Sequence, residues 1–332
     1  MKKSYSRILV TLFLYCIIGG CSEVREFLPT ETPNTIRIPT SSKFYQADIY
    51  YKNGNYEKCL QELKQLLTTN KNDPYVHYNL GLAYSRLKKN FLAKTEYELA
   101  LASQLTEDIP EIYKELGGLY RRQHLYEQAV DVYSKALKIV PGSREIRNCL
   151  VNAYQETGNM ELAIRECKRK PRLYFTLGNL YCRLGRYDDA LAAYTKATLE
   201  DNPNRRKTYN NIGIAYGKKG DAQQALQFYQ RALEEDPRYI PPHINMGILH
   251  RSIGKYDLAE KHYLQALSIA SDCQAALLNL GILYDIYMNK QDEAIKNYQR
   301  YCQLGGPRSA EVREWIETIK QRKQSICAVS DS

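Results

Sequence analysis

Six glycines recur in the same sequence context along this chain, and they constrain its fold more than any other feature. The last two steps between them are both 34 residues. About twelve residues after each glycine comes an alanine, followed at i+4 by a tyrosine and, in five of the six cases, at i+7 by a second alanine. A fixed period of this length indicates one supersecondary unit that repeats and stacks on its neighbours. The recurring glycines are Gly81, Gly117, Gly178, Gly213, Gly247 and Gly281.

A glycine inside a helix costs about 1 kcal/mol relative to alanine, so its recurrence needs a packing reason. Close approach of a neighbouring helix supplies that reason, with the abundant tyrosines filling the apolar stripe. The pattern resembles the tetratricopeptide repeat, which is a pair of antiparallel helices. The resemblance implies an all-α fold, a right-handed α-solenoid of about eight helix-turn-helix repeats with a C-terminal capping helix. Pro141 and Pro237 match its terminal proline, and Gly158, Gly185, Gly220 and Gly254 match its turn between helices.

The repeat pattern predicts the following domain boundaries. Repeats 1–4 span 42–170 and repeats 5–8 span 171–306. Repeat 1 is weak, with Cys59 and Leu63 at its small and aromatic positions, and repeat 8 has one extra residue before Ala294. A capping helix follows over 307–324, with Ser309 as a plausible N-cap. Its apolar residues Val312, Ile316 and Ile319 fall near helical spacing. Residues 325–332 are expected to be a disordered tail.

The fourth repeat is shorter than the others. Val151 stands at the position of the recurring glycine, here called the register position, and lies only 27 residues before the next register glycine, Gly178. Pro171 occurs where the second helix of this repeat should continue. That helix should therefore end early. We therefore expect a kink between residues 42–170 and residues 171–306. The alternative is a superhelix that continues smoothly because neighbouring residues close the gap.

The N-terminus resembles the signal peptide and lipobox of a bacterial lipoprotein. Basic residues precede an apolar run of about eleven residues, too short to span a bilayer, and Gly19-Gly20-Cys21 follows. The resemblance implies cleavage after residue 20, acylation of Cys21 and an extended tether over 21–41. It also implies a membrane anchor in the bacterial envelope, on the periplasmic face of the outer membrane. An ordinary secretory signal with an incidental Cys21 is the alternative.

Seven cysteines remain beyond Cys16 and Cys21, and none forms a C-x-x-C pair. This spacing indicates neither a dense disulfide framework nor a zinc site. One bridge among Cys149, Cys167 and Cys182 stays possible.

Charge narrows the range of partners. The net charge is +10, and removing three cations with the signal leaves +7. Basic clusters such as Lys168-Arg169-Lys170 could meet anionic lipid or an acidic partner, although interspersed acids favour ordinary solvated surface. The predicted export out of the cytoplasm argues against nucleic acid as a partner.

A row of asparagines is the best candidate for partner binding. Asn79, Asn211, Asn245 and Asn279 each lie two residues before a register glycine. Stacked first helices would align them, and amides can pair with the backbone of an extended peptide. This resembles the asparagine ladder of O-linked N-acetylglucosamine transferase. The alternative is that asparagine is merely a tolerated residue at this position.

A carboxylate clamp, another binding mode of the family, is only partly matched. Asn179 and Asn211 fit two of its positions, but Phe175, Pro241 and Asn245 stand where its cations belong. Lys207 and Lys218 are expected to face the groove and would favour an acidic peptide.

No catalytic motif, phosphate-binding loop or separate catalytic domain is evident, so neither an enzyme nor a cofactor is expected. His243 and His250 lie one heptad apart on one helix face, but both occupy aromatic packing positions. Packing is thus favoured over a metal pair.

The resemblance implies a scaffold that holds a protein or peptide during assembly of an envelope machine, such as pilus, secretion, outer-membrane or polysaccharide-export machinery. A regulatory or client-delivery subunit of a periplasmic protease, peptidoglycan hydrolase or glycosyltransferase is the second hypothesis. A self-associating structural lipoprotein is the third.

Overall fold

The structure, a computed structural model, describes residues 44–330 except 70, 103–108, 170–172 and 200–204. In this part of the chain seventeen helices form and no strand does. The chain divides between residues 173 and 174 into two compact units, here called the N-terminal unit and the C-terminal unit. The predicted signal peptide, Cys21 and the tether lie outside the described residues.

The N-terminal unit contains four helix pairs. The pairs are α1 (Tyr45–Lys52) with α2 (Tyr56–Thr69), α3 (Pro74–Arg86) with α4 (Asn90–Ala102), α5 (Ile109–Arg122) with α6 (Tyr126–Ile139), and α7 (Arg144–Glu156) with α8 (Met160–Lys168).

The C-terminal unit contains four further pairs and a last helix. The pairs are α9 (Tyr174–Arg183) with α10 (Tyr187–Leu199), α11 (Arg205–Lys218) with α12 (Ala222–Glu235), α13 (Ile240–Ser252) with α14 (Tyr256–Ile269), and α15 (Gln274–Ile282) with α16 (Gln291–Gln303); α17 (Ser309–Ser330) follows. The predicted all-α fold of about eight helix pairs is confirmed.

Each register glycine faces the tyrosine of the second helix in its own repeat. A Cβ placed on Gly178 would lie 2.4 Å from ring atoms of Tyr194, and one on Gly247 would lie 2.4 Å from Tyr263. The same contact occurs at all six glycines, and these tyrosines are almost completely buried. The predicted close approach of helices is therefore a contact between a bare backbone and an aromatic ring.

Repeats 1 and 4 fill this position with other residue sizes. In repeat 4 the larger Val151 replaces glycine and the smaller Cys167 replaces tyrosine, and both are buried. In repeat 1 Ala47 is combined with Leu63, again fully buried. Each pair keeps a similar total volume, as a close-packed core requires.

The turn inside every repeat uses one residue in the left-handed region of backbone space. Glycine occupies it in five repeats, with φ from +71° to +86°. Lys88, His124 and Asn289 adopt φ values of +58°, +60° and +52° in the other three. A non-glycine residue rarely takes this conformation, so the sequence pattern reveals only the glycine turns.

The extra residue of repeat 8 is accommodated in the helix rather than in the turn. A π-helical segment, Leu283–Tyr287, continues α15, and its wider turn takes up the additional residue. Leu283 and Tyr284 stay buried as a result.

Helix α8 has nine residues, whereas the seven other second helices have 13 or 14. A buried ion pair between Arg147 and Glu166 ties it to α7, and Arg147 Nη2 also donates to Pro141 O over 2.7 Å. Arg169 forms a second ion pair with Glu166, at 2.7 Å. Charge pairing thus supports the repeat that has the shortest second helix.

Helix α17 packs its apolar side on repeat 8, as predicted for a capping helix. Val312, Ile316 and Ile319 are buried, and the ring of Trp315 lies 5.6 Å from that of Tyr298. Two details differ from the prediction. The helix continues to Ser330 instead of ending at 324, and Ser309 is its first residue, with Oγ donating to Gly306 O over 2.6 Å rather than capping.

Cys149, Cys167 and Cys182 are free thiols, as are the three other described cysteines, Cys59, Cys273 and Cys302. The bridge that the sequence left possible is therefore not formed. Burial raises the pKa of Cys59 and of Cys167 to about 12, so these thiols are unreactive packing residues.

Candidate functional site

The predicted asparagine row is partly assembled in the C-terminal unit. Asn211 on α11 donates from Nδ2 to Asn179 Oδ1 on α9 over 2.9 Å. The same oxygen accepts from the hydroxyl of Tyr194 over 2.7 Å. Two first helices that are neighbours in the stack are therefore joined by their amides.

Asn210, which the sequence analysis did not single out, extends this connection to the next repeat. It is buried and donates from Nδ2 to Asn211 Oδ1 over 3.3 Å. Its own Oδ1 accepts from Asn245 Nδ2 of α13 over 2.9 Å. The adjacent asparagines at 210 and 211 were the available signal, because a doublet can reach the repeats on both sides.

This chain of amides uses much of the hydrogen-bonding capacity that a peptide ladder would need. Asn211 uses its amide donor and Asn179 its amide acceptor in a hydrogen bond within the protein. Asn245 Oδ1, in contrast, accepts no hydrogen bond from the described residues. Asn279 lies further along the row and donates only to Ala275 O, one turn back in its own helix, over 2.9 Å. Asn245 and Asn279 thus remain the most available members of the row.

Asn79 differs from the other predicted members. It lies in the N-terminal unit and is 0 % exposed. A partner cannot reach a side chain that is fully enclosed, so Asn79 is a residue of the core in this structure and leaves the candidate set.

Lys207 and Lys218 lie at opposite ends of α11, and both are half-buried. Eleven residues of helix separate them by about 16 Å. Two cations therefore flank the part of the row that Asn210 and Asn211 occupy. Phe175, at a clamp position, packs its ring 6.1 Å from that of Tyr194 and offers no charge.

The two histidines predicted to pack form a stack with a third, His262 of α14. The rings of His250 and His262 are nearly parallel, with centroids 5.3 Å apart. The ring of His243 also contacts that of His262, with centroids 6.0 Å apart. Burial, then His250 and His243, lowers the pKa of His262 to about 4. Within the described ranges no group of three or more His, Cys, Asp or Glu could hold a metal ion.

Three tetratricopeptide models match the chain. One, described as TPR repeat, covers residues 47–88, and two described as tetratricopeptide repeat cover residues 171–234 and 218–280. The chain therefore carries tetratricopeptide repeats in both units.

Similar proteins include human Protein O-mannosyl-transferase TMTC1, which is 29% identical over 62% of this chain. The matched part is 24% of that relative, so this chain spans about a quarter of its length. Yeast Tom70 has a TM-score of 0.59 at 16% identity, over 87% of this chain and 62% of that one. A tetratricopeptide protein from Cytophaga hutchinsonii has a TM-score of 0.56 at 18% identity, over 71% of this chain and 99% of its own.

These solved structures establish the class of fold, an α-solenoid of tetratricopeptide repeats. In the part of the chain that the structure describes, no helix has both the length and the apolar character required to cross a bilayer.

Proposed function

We propose that this chain is a non-catalytic scaffold that binds a protein or an extended peptide along its first helices. The observation that carries this proposal is the row of amides on α9, α11, α13 and α15. Successive first helices bring these amides together, with Asn245 and Asn279 retaining acceptors for a partner. Tetratricopeptide repeats form extended binding surfaces from such stacked helices.

Asn279→Ala is the sharpest test, because Asn279 bonds only to its own helix and its removal leaves the contacts between repeats intact. We expect unchanged unfolding and weaker capture of a partner from the native membranes, identified by mass spectrometry. Asn297→Ala is the matched control, since Asn297 makes the same bond, to Glu293 O over 2.8 Å, from second helix α16. Equal partner recovery from the two variants would refute a role for the row.

We also propose that the chain is held at the envelope membrane through an acylated Cys21, where it serves assembly of an envelope complex. The basic residues, short apolar run and Gly19-Gly20-Cys21 sequence support this. Metabolic labelling with a fatty acid should mark the wild type and leave Cys21→Ser unlabelled and released from membranes. Labelling of the Cys21→Ser protein would contradict this assignment.

A regulatory or client-delivery subunit of an enzyme is the second candidate. The similarity to about a quarter of a protein named as an O-mannosyl-transferase supports it. It predicts that adding this chain changes the rate of a captured partner enzyme. An unchanged rate at saturating concentration would remove this candidate.

A further inference from the structure

The histidine stack of repeat 7 occupies three positions that recur in the other repeats. They lie four residues before the register glycine, three after it and fifteen after it, the last on the second helix. In repeat 7 these positions hold His243, His250 and His262. In repeat 6 they hold Tyr209, Tyr216 and Phe228. In both repeats the ring on the second helix contacts the two rings on the first, with centroids 5.3–6.3 Å apart. Repeat 7 therefore builds the ring cluster of repeat 6 from residues that can take up protons.

Repeats 2 and 4 place a base at the first of these positions, and in both an acid faces it from the second helix. His77 Nδ1 lies 2.7 Å from Glu96 Oε2, and Arg147 pairs with Glu166. In each pair the carboxylate stabilises a positive charge on its neighbour. Repeat 7 has histidine at both positions, so a proton on either ring meets another base where repeats 2 and 4 supply an acid.

The histidine cluster is enclosed, and part of its hydrogen-bonding capacity is unused. His243 and His250 are 8 % and 7 % exposed. Nδ1 of each of the three rings is buried without a hydrogen-bond partner among the described residues, as is Oε1 of the neighbouring Gln265. A neutral ring tolerates such surroundings, whereas a buried charge without an anion is strongly unfavourable.

Cations act on the cluster from its own repeat. Burial lowers the pKa of all three rings. At His250 the next contribution comes from Lys255, and at His262 it comes from the other two rings, with Lys261 contributing as well. Arg251, the residue after His250, adds an enclosed cation to α13. A proton on the cluster is therefore opposed by its charged surroundings.

Carboxylates on the adjoining elements are paired elsewhere. Glu260 of α14 accepts from Lys290 Nζ of repeat 8 over 3.1 Å, and Asp285 in the π-helical segment pairs with an arginine of α17 at 3.1 Å. On the side of repeat 6, Glu235 and Asp236 at the end of α12 pair with arginines at the start of α11, at 3.7 and 2.9 Å. These acids already have cationic partners and are not available to a protonated histidine.

Helix α13 carries both the cluster and a member of the amide row. Asn245 lies two residues after His243 and donates from Nδ2 to Asn210 Oδ1 of α11 over 2.9 Å. This bond requires α13 to stay packed in the stack. Opening of the helix pair α13–α14 would therefore interrupt the row between Asn211 and Asn279.

We propose that the three histidines of repeat 7 form an acid-sensitive release device for the partner of the amide row. At neutral pH the rings are uncharged and the pair α13–α14 is closed. In mild acid the open form takes up protons that the closed form does not accommodate, so the pair opens and Asn245 leaves the row. This inference rests on the proposed function, because the device controls the partner of the row.

Hydrogen exchange of the full chain tests the opening without a partner. Mass spectrometry measures protection at pH 7.5 and pH 5.0, corrected for the chemical exchange rate. The pKa of His262 is about 4 in the fold and ordinarily about 6.5, so this ring alone favours the open form more than about tenfold over this interval. We expect residues 240–269 of repeat 7 to lose at least that much protection and residues 205–235 of repeat 6 to lose much less. An equal loss in the two repeats would overturn the device.

The chain supplies its own cluster without histidine for comparison. A triple variant, His243→Tyr with His250→Tyr and His262→Phe, places the repeat 6 residues in repeat 7. We expect it to keep the protection of repeat 7 at pH 5.0. The control His124→Asn removes an exposed histidine from a turn in repeat 3 and should respond to pH as the wild type does. A triple variant that loses as much protection as the wild type would overturn the device, and if it does not fold, the comparison of repeats 6 and 7 in the wild type still decides.

Release is measured on a partner captured at pH 7.5 and then washed at pH 5.0. We expect the wild type to lose at least about tenfold more of the partner than the triple variant. Equal retention by the two proteins would overturn the control of the row by the cluster. Failure of the exchange prediction leaves capture at neutral pH, and with it the proposed function, intact, because the Asn279→Ala experiment judges that function separately.

Discussion

At the scale of single residues, the contact between each register glycine and its tyrosine is the basic packing unit of this protein. The sequence predicted that the glycines admit a neighbouring helix, and the structure shows that the group admitted is the aromatic ring. Periodicity could reveal the small positions because they recur. The matching of Val151 with Cys167 could not be predicted in the same way, because it occurs once.

The glycine contact predicts a clear cost for one added methyl group. In Gly247→Ala the new Cβ would lie 2.4 Å from the ring of Tyr263, so ring or helix must shift. We expect a loss of about 1–3 kcal/mol in the free energy of unfolding, despite the better helix propensity of alanine. Urea unfolding checks this. Gly142→Ala, where a Cβ would meet nothing within 4 Å, is the control, and equal stability of the two variants would contradict the argument.

The histidine stack predicts a loss of stability in mild acid. The pKa of His262 is about 4 in the fold and ordinarily about 6.5, so only the unfolded chain binds its proton between these values. Stability should therefore be complete above pH 6.5 and fall as the pH decreases towards 4. Lys255 and Lys261 add to the effect, because they are the charged neighbours that disfavour protonation of His250 and His262.

Melting temperatures at pH 7.5 and pH 5.0 measure this effect. We expect the wild type to lose a few degrees more than His262→Gln, because other titrating groups are common to both proteins. An identical loss in the two proteins would mean that the stack does not resist protonation.

At the scale of helices and turns, sequence reasoning located the elements but not their irregularities. Gly158, Gly185, Gly220 and Gly254 identified turns correctly, as their positive φ values show. The turns at Lys88 and His124 contain no glycine, so the sequence pattern does not mark them although both residues have a positive φ. Likewise the extra residue of repeat 8 was counted correctly, yet nothing in the sequence indicated that a π-helical segment would absorb it.

The turns predict a stabilising substitution. Lys88 has φ +58°, which costs a side-chain-bearing residue about 1 kcal/mol relative to glycine. Lys88→Gly should therefore increase the free energy of unfolding by roughly 0.5–1 kcal/mol, as urea titration can measure. The reciprocal change at the same turn position of repeat 6, Gly220→Lys, should lower it by a similar amount. Destabilisation by both changes would show that the lysine side chain, not its backbone, determines the turn.

At the scale of the whole molecule, stability in a stack of repeats is approximately a sum of units and of the interfaces between neighbours. The repeat pattern predicted this architecture well because every repeat contains its own internal contacts. It predicted the candidate surface less well. Asn79 and Asn211 both lie two residues before a recurring glycine, yet Asn79 is enclosed whereas Asn211 joins two helices.

The end of the stack gives a prediction for the complete chain. Removing α17 from Ser309 onward should expose the surface that Val312, Ile316 and Ile319 cover. We expect concentration-dependent oligomers in light scattering, whereas a chain ending at Gln324 keeps these contacts and should behave as wild type. A truncated chain of unchanged size at all concentrations would show that the end is polar enough without its cap.

The pairing of Val151 with Cys167 has a consequence for how such a chain can change its length. Both residues of this contact belong to the same repeat, so a whole repeat can be duplicated or lost without a compensating substitution in any other repeat. Single helices are different. A first helix with the recurring glycine could be exchanged among the six repeats whose second helix supplies a tyrosine. A first helix with Val151 would overpack against such a tyrosine, and a first helix with glycine would leave a cavity beside Cys167. The inherited unit in this chain is therefore the helix pair.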